Sequence, residues 1–273
     1  MIRRLAARFS GELGVWAHCL DTGESVEWNA YEIFPAASAI KLGILYEVYH
    51  QVFQGLVRLD DMLTVQAEDL VPGSGILKDL TPGMRLSVKD LATLMIVVSD
   101  NTAANLLIDL LGREAINQSF AELGLNSTRL EHKFFRAPKE SPPNRSTPAD
   151  LGKLMLRIAT HTVLTPQLCT EMLDILGRQH LTDNLTRYIP DFDGFIEPGR
   201  EPVVRVASKS GAIRGTRNEV GLVSTRSCSY VIAVMSKGCK DTRFYPDNEA
   251  SRFVAKISAM FYEYFQTRAI QGG

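Results

Sequence analysis

Apolar positions divide the chain into strand-like segments at its two ends and a helical block between them. Near the N-terminus, an apolar run over 14–20, turn residues over 21–24 and an alternating segment over 25–29 predict a β-hairpin. Near the C-terminus, alternating or continuously apolar runs predict three more strands, at 203–208, 219–224 and 229–236.

Between these segments, apolar residues recur mostly at helical spacing. This spacing predicts six helices, at 40–53, 91–98, 102–111, 114–124, 146–159 and 166–178. Residues 125–144 lack periodicity and carry several prolines, and a later loop contains Pro190, Pro198 and Pro202. Two further helices are predicted at the chain ends, over 1–10 and 248–266.

Strands at both ends and helices between them favour an α+β fold. We expect one antiparallel five-stranded sheet, built from the N- and C-terminal segments and flanked by the two terminal helices as an α/β sandwich. The helical block would form an inserted all-α lobe. The chain is then a single domain, 1–273, with an α/β lobe of 1–37 and 200–273 and a helical lobe of 38–199. A groove between such lobes is the expected place for a site.

Composition excludes several classes of partner. The formal net charge is -1, which gives no electrostatic basis for a nucleic-acid or membrane partner. No apolar run approaches the ~20 residues that span a bilayer. The first nine residues carry charge without a following apolar segment, so they do not resemble a signal peptide. The expectation is a cytoplasmic protein, or an exported one whose signal has been removed; the oligomeric state stays open.

Cysteine and histidine spacing argues against a metal site. The chain has four cysteines and five histidines, with no C-x-x-C pair and no H-x-x-x-H or H-E-x-x-H spacing. Cys228 and Cys239 flank one apolar segment and could pair, but buried free thiols are the stronger expectation. We therefore expect no metal and no cofactor.

A Ser-x-x-Lys pair, Ser38 and Lys41, lies at the start of the first long helix of the block. Residues at i and i+3 share a helix face, so the hydroxyl and the amine can lie within hydrogen-bond reach. A serine hydroxyl needs a neighbouring base at neutral pH, and a lysine can serve when burial and nearby cations lower its pKa. Taken alone, the pair is also typical of an N-cap serine followed by a solvated lysine.

Two further motifs follow in order, Ser99-Asp100-Asn101 and Lys209-Ser210-Gly211. Individually they fit a turn or cap pair and an edge-strand lysine. Together with Ser38-x-x-Lys41, their order resembles the S-x-x-K, S-D-N and K-T/S-G set of serine β-lactamases and penicillin-binding proteins. The sequences at 99–107 and 209–217 are similar to class A β-lactamases in particular. The resemblance extends over essentially the whole chain, which makes three coincidental matches a poor explanation.

The resemblance implies an acyl-transfer site with a distinct role for each residue. Ser38 would attack the carbonyl, Lys41 would serve as base or hold a proton network, and Ser99 would relay a proton to the leaving nitrogen, assisted by Lys209. The remaining residues would bind substrate. The N–H groups of Ala212 and Ser38 would hold the oxyanion, and Asn101 would hydrogen-bond a side-chain amide. Ser210, with Gly211 beside it, and Arg217 would bind a carboxylate.

The residue that activates water for deacylation is harder to assign. Class A enzymes use a glutamate on the loop between helices, and its expected place in this sequence falls on Phe134, which cannot accept a proton. Glu140 keeps the family's E-x-x-x-N spacing with Asn144 and is the candidate base; Glu131 is a weaker alternative. Both also fit ordinary loop glutamates.

These observations predict a metal-independent serine hydrolase acting on a small-molecule amide. The first reading is a class A-type β-lactamase, acylated at Ser38 and deacylated by water. The alternative is a penicillin-binding protein, or another amide, ester or peptide hydrolase of the same fold, with slow or no β-lactam turnover. A catalytically silent scaffold is disfavoured by retention of the motif residues.

Overall fold

The computed structural model of the protein describes residues 2–194 and 199–271. Met1, at the start of the predicted N-terminal helix, and Pro198, in the predicted proline-containing loop, lie outside the described residues. Within that part of the chain, no helix combines the length and apolar character needed to cross a bilayer.

In the described part of the chain, five strands form a central sheet and four short strands pair outside it. In chain order they are β1 Glu12–Cys19, β2 Ser25–Trp28, β3 Phe34–Pro35, β4 Met62–Thr64, β5 Arg85–Ser87, β6 Arg145–Ser146, β7 Arg205–Ile213, β8 Thr216–Ser224 and β9 Ser229–Lys237.

The helices lie at the two ends and in the middle of the chain. They are α1 Ile2–Ala6, α2 Lys41–Phe53, α3 Val88–Val97, α4 Asn101–Leu111, α5 Arg113–Glu122, α6 Pro148–Ala159, α7 Pro166–Leu176 and α8 Glu249–Gln271. Local signals set several starts: Ser87 and Asp90 form a capping box at α3, and Thr147 caps α6 with Pro148 at its first turn.

The central sheet has the order β2-β1-β9-β8-β7, and every pairing is antiparallel. The chain enters through the β1–β2 hairpin and returns through β7, β8 and β9, so its two ends share one sheet. The α+β fold with a five-stranded antiparallel sheet is thereby confirmed. The lobe boundaries at 37/38 and 199/200 stay predictions.

The two faces of the sheet bury different cores because side chains alternate along each strand. One face, with Val220 and Val231, packs into a core shared with the helical block, including Leu45 of α2. The other face, with Ile232, packs against α8, including Phe261. The edge strand β7 therefore runs beside the helical block, where a site can form.

The structure extends some predicted elements and adds others. The first strand of the C-terminal set begins at Arg205 rather than residue 203 and continues to Ile213, so the whole Lys-Ser-Gly motif lies within it. The prediction ended the strand too early because it followed apolar positions only, and the motif residues within the strand are polar. The β3–β6 pair, Phe34↔Ser146 and Pro35↔Arg145, also went unpredicted, since two-residue strands leave no periodic signal.

Candidate active site

Ser38 lies in a tight turn rather than at the N-cap of the long helix. It belongs to a 3-10 helix, Ala37–Ile40, that leads directly into α2, and its side chain is half-buried. Ala37 has φ +48°, a left-handed conformation that costs free energy for an alanine. Such conformations persist only where the surrounding structure enforces them, and they cluster at functional sites.

The surrounding structure holds this turn from two sides. The Ala36 N–H donates to the carbonyl of Asn144 at 2.8 Å. From β8, the fully buried Asn218 donates its side-chain amide to the carbonyls of Pro35 at 2.8 Å and Ala36 at 3.1 Å. Sequence reasoning missed Asn218; the only signal was a polar residue at a position where the strand is buried.

Lys41 is fully buried at the first position of α2, and its Nζ points to the motif that precedes α4. Nζ donates to the Ser99 carbonyl at 2.7 Å and to Asn101 Oδ1 at 2.8 Å. The Ser99 hydroxyl lies at 3.3 Å. Within the described residues, no hydrogen bond joins Lys41 to the Ser38 hydroxyl, although catalytic hydrogen bonds often tighten only when substrate is bound.

Burial favours the neutral amine of Lys41. It lowers the pKa of Lys41 well below the usual value, and the nearby charge of Lys209 lowers it further, while Asp100 opposes both. A neutral amine has two N–H donors and one lone pair. The Ser99 carbonyl, Asn101 Oδ1 and the Asp100 carbonyl, at 2.7, 2.8 and 3.4 Å, all accept from Nζ, and in the neutral amine the lone pair is the proton acceptor.

Ser99 is fixed by the segment that packs over it. It has φ +54°, and its carbonyl accepts from the Ser74 hydroxyl at 2.7 Å as well as from Lys41. Asp100 caps α4 by accepting from the Ala103 N–H, and its second oxygen accepts from the N–H groups of Ile76 and Leu77 at 2.7 and 2.9 Å. The middle residue of the motif is therefore structural, whereas its neighbours face Lys41.

Asn101 is already engaged on both sides of its amide. Oδ1 accepts from Lys41, and Nδ2 donates to the carbonyl of Pro72 at 3.2 Å. Gly73, next to Pro72, approaches so closely that a Cβ there would stand 2.6 Å from Asn101 Nδ2. Asn101 thus links Lys41 to the segment that carries Pro72 and Gly73.

The third motif reaches the Ser38 turn through its glycine. A Cβ on Gly211 would stand 2.7 Å from the Ala39 nitrogen and 3.1 Å from the Ser38 nitrogen, so only glycine permits this approach of β7. Ser210 is buried beside it, and Ala212 is exposed. Among the described strands β7 is the edge of the sheet, so its outward backbone groups have no strand partner there.

Lys209 is the second fully buried lysine of the site. Its Nζ donates to the Ser210 carbonyl at 2.7 Å. Burial lowers the pKa of Lys209 to about 7, against the opposing charge of Glu219. Glu219 is itself buried in β8, where it accepts from the Ser208 hydroxyl at 2.6 Å, and burial raises the pKa of its carboxyl group. Sequence reasoning did not identify this carboxylate.

Arg217 lies farther along β8 with most of its side chain buried. Nη1 donates to the carbonyls of Ile213 and Thr216, both at 2.8 Å, and Nη2 donates to that of Arg243 at 2.7 Å. The guanidinium also lies 4.7 Å from the ring centroid of Phe244. These contacts fix the position of the guanidinium. Its described hydrogen bonds all go to backbone carbonyls and none to a carboxylate, so its positive charge is retained.

Neither glutamate candidate joins this cluster in the described part of the chain. Glu140 is exposed in a turn with φ +66°, and no described contact connects it to Lys41 or Ser99. Glu131 forms ion pairs with Arg145 at 2.6 Å and Arg129 at 3.3 Å. Asn144 is used structurally, since its Oδ1 accepts from the N–H groups of residues 131 and 132.

Phe134 lies beside Lys41. Nζ of Lys41 lies 4.4 Å from the centroid of its ring. Asn105 of α4 fixes this residue by accepting from the Phe134 N–H at 2.8 Å and donating to its carbonyl at 2.9 Å. The sequence placed Phe134 at the glutamate's position; its packing on Lys41 was not predicted.

Comparisons with known proteins agree with this arrangement. Residues 1–265 match the family model described as Beta-lactamase enzyme family. A beta-lactamase of Bacillus amyloliquefaciens is 30% identical over 262 residues, covering 93% of this chain and 81% of that protein. The crystal structure of a beta-lactamase from Sphaerobacter thermophilus DSM 20745 has a TM-score of 0.86 at 30% identity, covering 96% and 95%. A PBP-A mutant, solved as its acyl-enzyme complex with penicillin-G, has a TM-score of 0.83 at 30% identity, covering 97% and 94%.

The hold of Asn218 on the Ser38 turn can be tested by Asn218→Ala. Removing its amide leaves the Pro35 carbonyl and the buried Ala36 carbonyl without this donor, so we expect the free energy of unfolding in urea to fall by about 1–3 kcal/mol. Asn126→Ala, at an exposed position, serves as control and should change it by less than about 0.5 kcal/mol. Equal stability of the two variants would contradict the role given to Asn218.

Proposed function

Because the chain belongs to the beta-lactamase enzyme family, we propose that it is a serine hydrolase whose Ser38 hydroxyl opens β-lactam amides and becomes acylated. The observation that carries this proposal is the buried Lys41. Its amine is held by the Ser99 carbonyl and Asn101, three residues after the hydroxyl that it would deprotonate. A small-molecule substrate follows from the family.

Acylation needs one proton transfer at each end of the scissile bond. The lone pair of neutral Lys41 takes the Ser38 proton as Oγ attacks the lactam carbonyl carbon. As the tetrahedral intermediate collapses, the carbon–nitrogen bond breaks and the nitrogen receives a proton. We assign this transfer to the Ser99 hydroxyl, which lies 3.3 Å from Lys41 Nζ and would regain a proton from Lys41.

The charges around the cleft suit an anionic substrate. Arg217 and the protonated form of Lys209 supply positive charge near β7, and Ser210 adds a buried hydroxyl between them in the strand order. We assign the substrate carboxylate to this group. The oxyanion is assigned to the N–H groups of Ser38 and Ala212, since Gly211 lets β7 approach the Ser38 turn.

Deacylation is proposed to be slow. The ring of Phe134 packs on Lys41, where a phenylalanine can neither accept a proton from water nor hydrogen-bond it. The exposed Glu140 stays a predicted base that no described contact supports. This observation favours the second candidate function, a penicillin-binding protein with little β-lactam turnover. It accords with the penicillin-G acyl-enzyme captured for the PBP-A mutant.

The proposed acylation predicts a stoichiometric reaction with a chromogenic cephalosporin. We expect a burst of about one equivalent of product, then a slow phase, because Ser38 is consumed faster than water restores it. Intact mass after the burst should show one covalent adduct, and digestion should place it on Ser38. Ser38→Ala should abolish burst and adduct. Unchanged product formation by Ser38→Ala would refute the proposal.

The role of Phe134 can be tested by giving its position a carboxylate. A general base contributes about 10²–10⁴-fold, so Phe134→Glu should accelerate loss of the adduct by at least about tenfold. Phe134→Gln is the matched control, because it opens similar space without a base.

Three outcomes would each contradict part of this account. Equal acceleration by the glutamine and glutamate variants would show that space alone had limited hydrolysis. No acceleration by Phe134→Glu would mean that Phe134 does not limit hydrolysis. Slower deacylation of Glu140→Gln in an otherwise native chain would identify Glu140 as the base after all.

A further inference from the structure

Phe135 presents a large apolar side chain to solvent at the edge of the proposed site. Its residue is 61% exposed, directly after the Phe134 that covers Lys41. A ring this exposed contributes little to core packing. Its position at the edge of the proposed site suggests that the ring binds part of a ligand.

The backbone at Phe135 is strained. The Arg136 N–H donates to the Lys133 carbonyl at 3.3 Å, which makes Phe135 the third residue of a turn, and its φ is +55°. That turn position favours glycine or asparagine, because a bulky side chain is crowded by the backbone there. A glycine would be the more stable choice if only the turn mattered.

Contacts on both sides hold the residue in this conformation. Asn105 fixes the Phe134 backbone through two hydrogen bonds, of 2.8 and 2.9 Å. Arg136 is fixed on the other side, where its guanidinium donates to the Glu68 carbonyl at 2.5 Å. The strain is thus maintained by the structure, as is common at ligand-binding positions.

The ring lies beside the amide of Asn101. A Cβ on Gly73 would stand 2.6 Å from both Asn101 Nδ2 and the Phe135 ring, so that one glycine separates the two side chains. Gly73 itself has φ +91°. The surface formed by Gly73 and the Phe135 ring, here called the acyl platform, borders the residue proposed to bind the substrate's side-chain amide.

We propose that the Phe135 ring binds the substituent on the acyl side of the substrate, so that the protein prefers β-lactams with an aromatic side chain. This inference rests on the proposed acylation of Ser38. A substrate whose side-chain amide meets Asn101 projects its next group over the acyl platform. Stacking of two aromatic rings there adds affinity beyond simple burial.

Two penicillins that differ only in the ring test this proposal. Benzylpenicillin and 6-acetamidopenicillanic acid share the amide, and only the first carries a phenyl group. We expect the native chain to be acylated about tenfold faster by benzylpenicillin, compared as second-order rate constants from intact mass. In Phe135→Gly that ratio should fall to about one. In Phe135→Leu, which keeps an apolar surface, it should be intermediate.

The stability of Phe135→Gly is a second readout. If Phe135 served only to stabilise the fold, its replacement would lower the unfolding midpoint in urea. Phe135→Gly relieves the left-handed strain, so its unfolding midpoint in urea should rise while the preference disappears. Phe53→Ala is the matched control, because Phe53 is 57% exposed and lies twelve residues along α2 from Lys41. Its rate constants with both penicillins should equal those of the native chain.

The outcomes separate this inference from the function on which it rests. If Phe135→Gly keeps the native ratio, the acyl platform is refuted while acylation stands. If the native chain shows no preference for the phenyl group, the same conclusion follows. If neither penicillin forms an adduct at Ser38, the proposed function fails and the platform fails with it.

Discussion

The arrangement of this site depends on a lysine amine buried among carbonyl oxygens. Lys41 is removed from water at the start of α2, and its two short hydrogen bonds tie it to the segment that begins α4. Burying an ammonium is costly, so the neutral amine is favoured. We propose that this constraint makes Lys41 a base without a carboxylate partner, and the nearby charge of Lys209 lowers the pKa of Lys41 further.

Two asparagine side chains and one glycine hold the cleft around Lys41 in order. Asn218 fixes the turn that carries Ser38, and the glycine of the third motif brings β7 against it. Asn105 fixes the ring that covers the amine. Residues in left-handed conformation, Ala37, Ser99 and Phe135, border the cleft. This concentration of strain accords with a fold that gives up stability to hold reactive groups in place.

Sequence reasoning reached the fold and the motif residues but missed much of what holds them in place. Periodicity revealed the sheet strands and helices because their apolar faces are long, whereas β3 and β6 are two residues each and left no signal. Motif order led to Lys41 and Ser99, because acyl transfer requires those residue types. Asn218 and Glu219 could not be found, since their importance comes from partners 182 and 34 residues away in sequence.

The most direct test of this account is the protonation state of Lys41. Heteronuclear NMR of lysine labelled at the ε-carbon would follow its titration, with Lys41→Arg identifying the resonance. The account predicts an amine whose pKa lies well below the usual lysine range. A Lys41 resonance that titrates at the ordinary lysine value would contradict it, because a charged Lys41 could not accept the proton of Ser38.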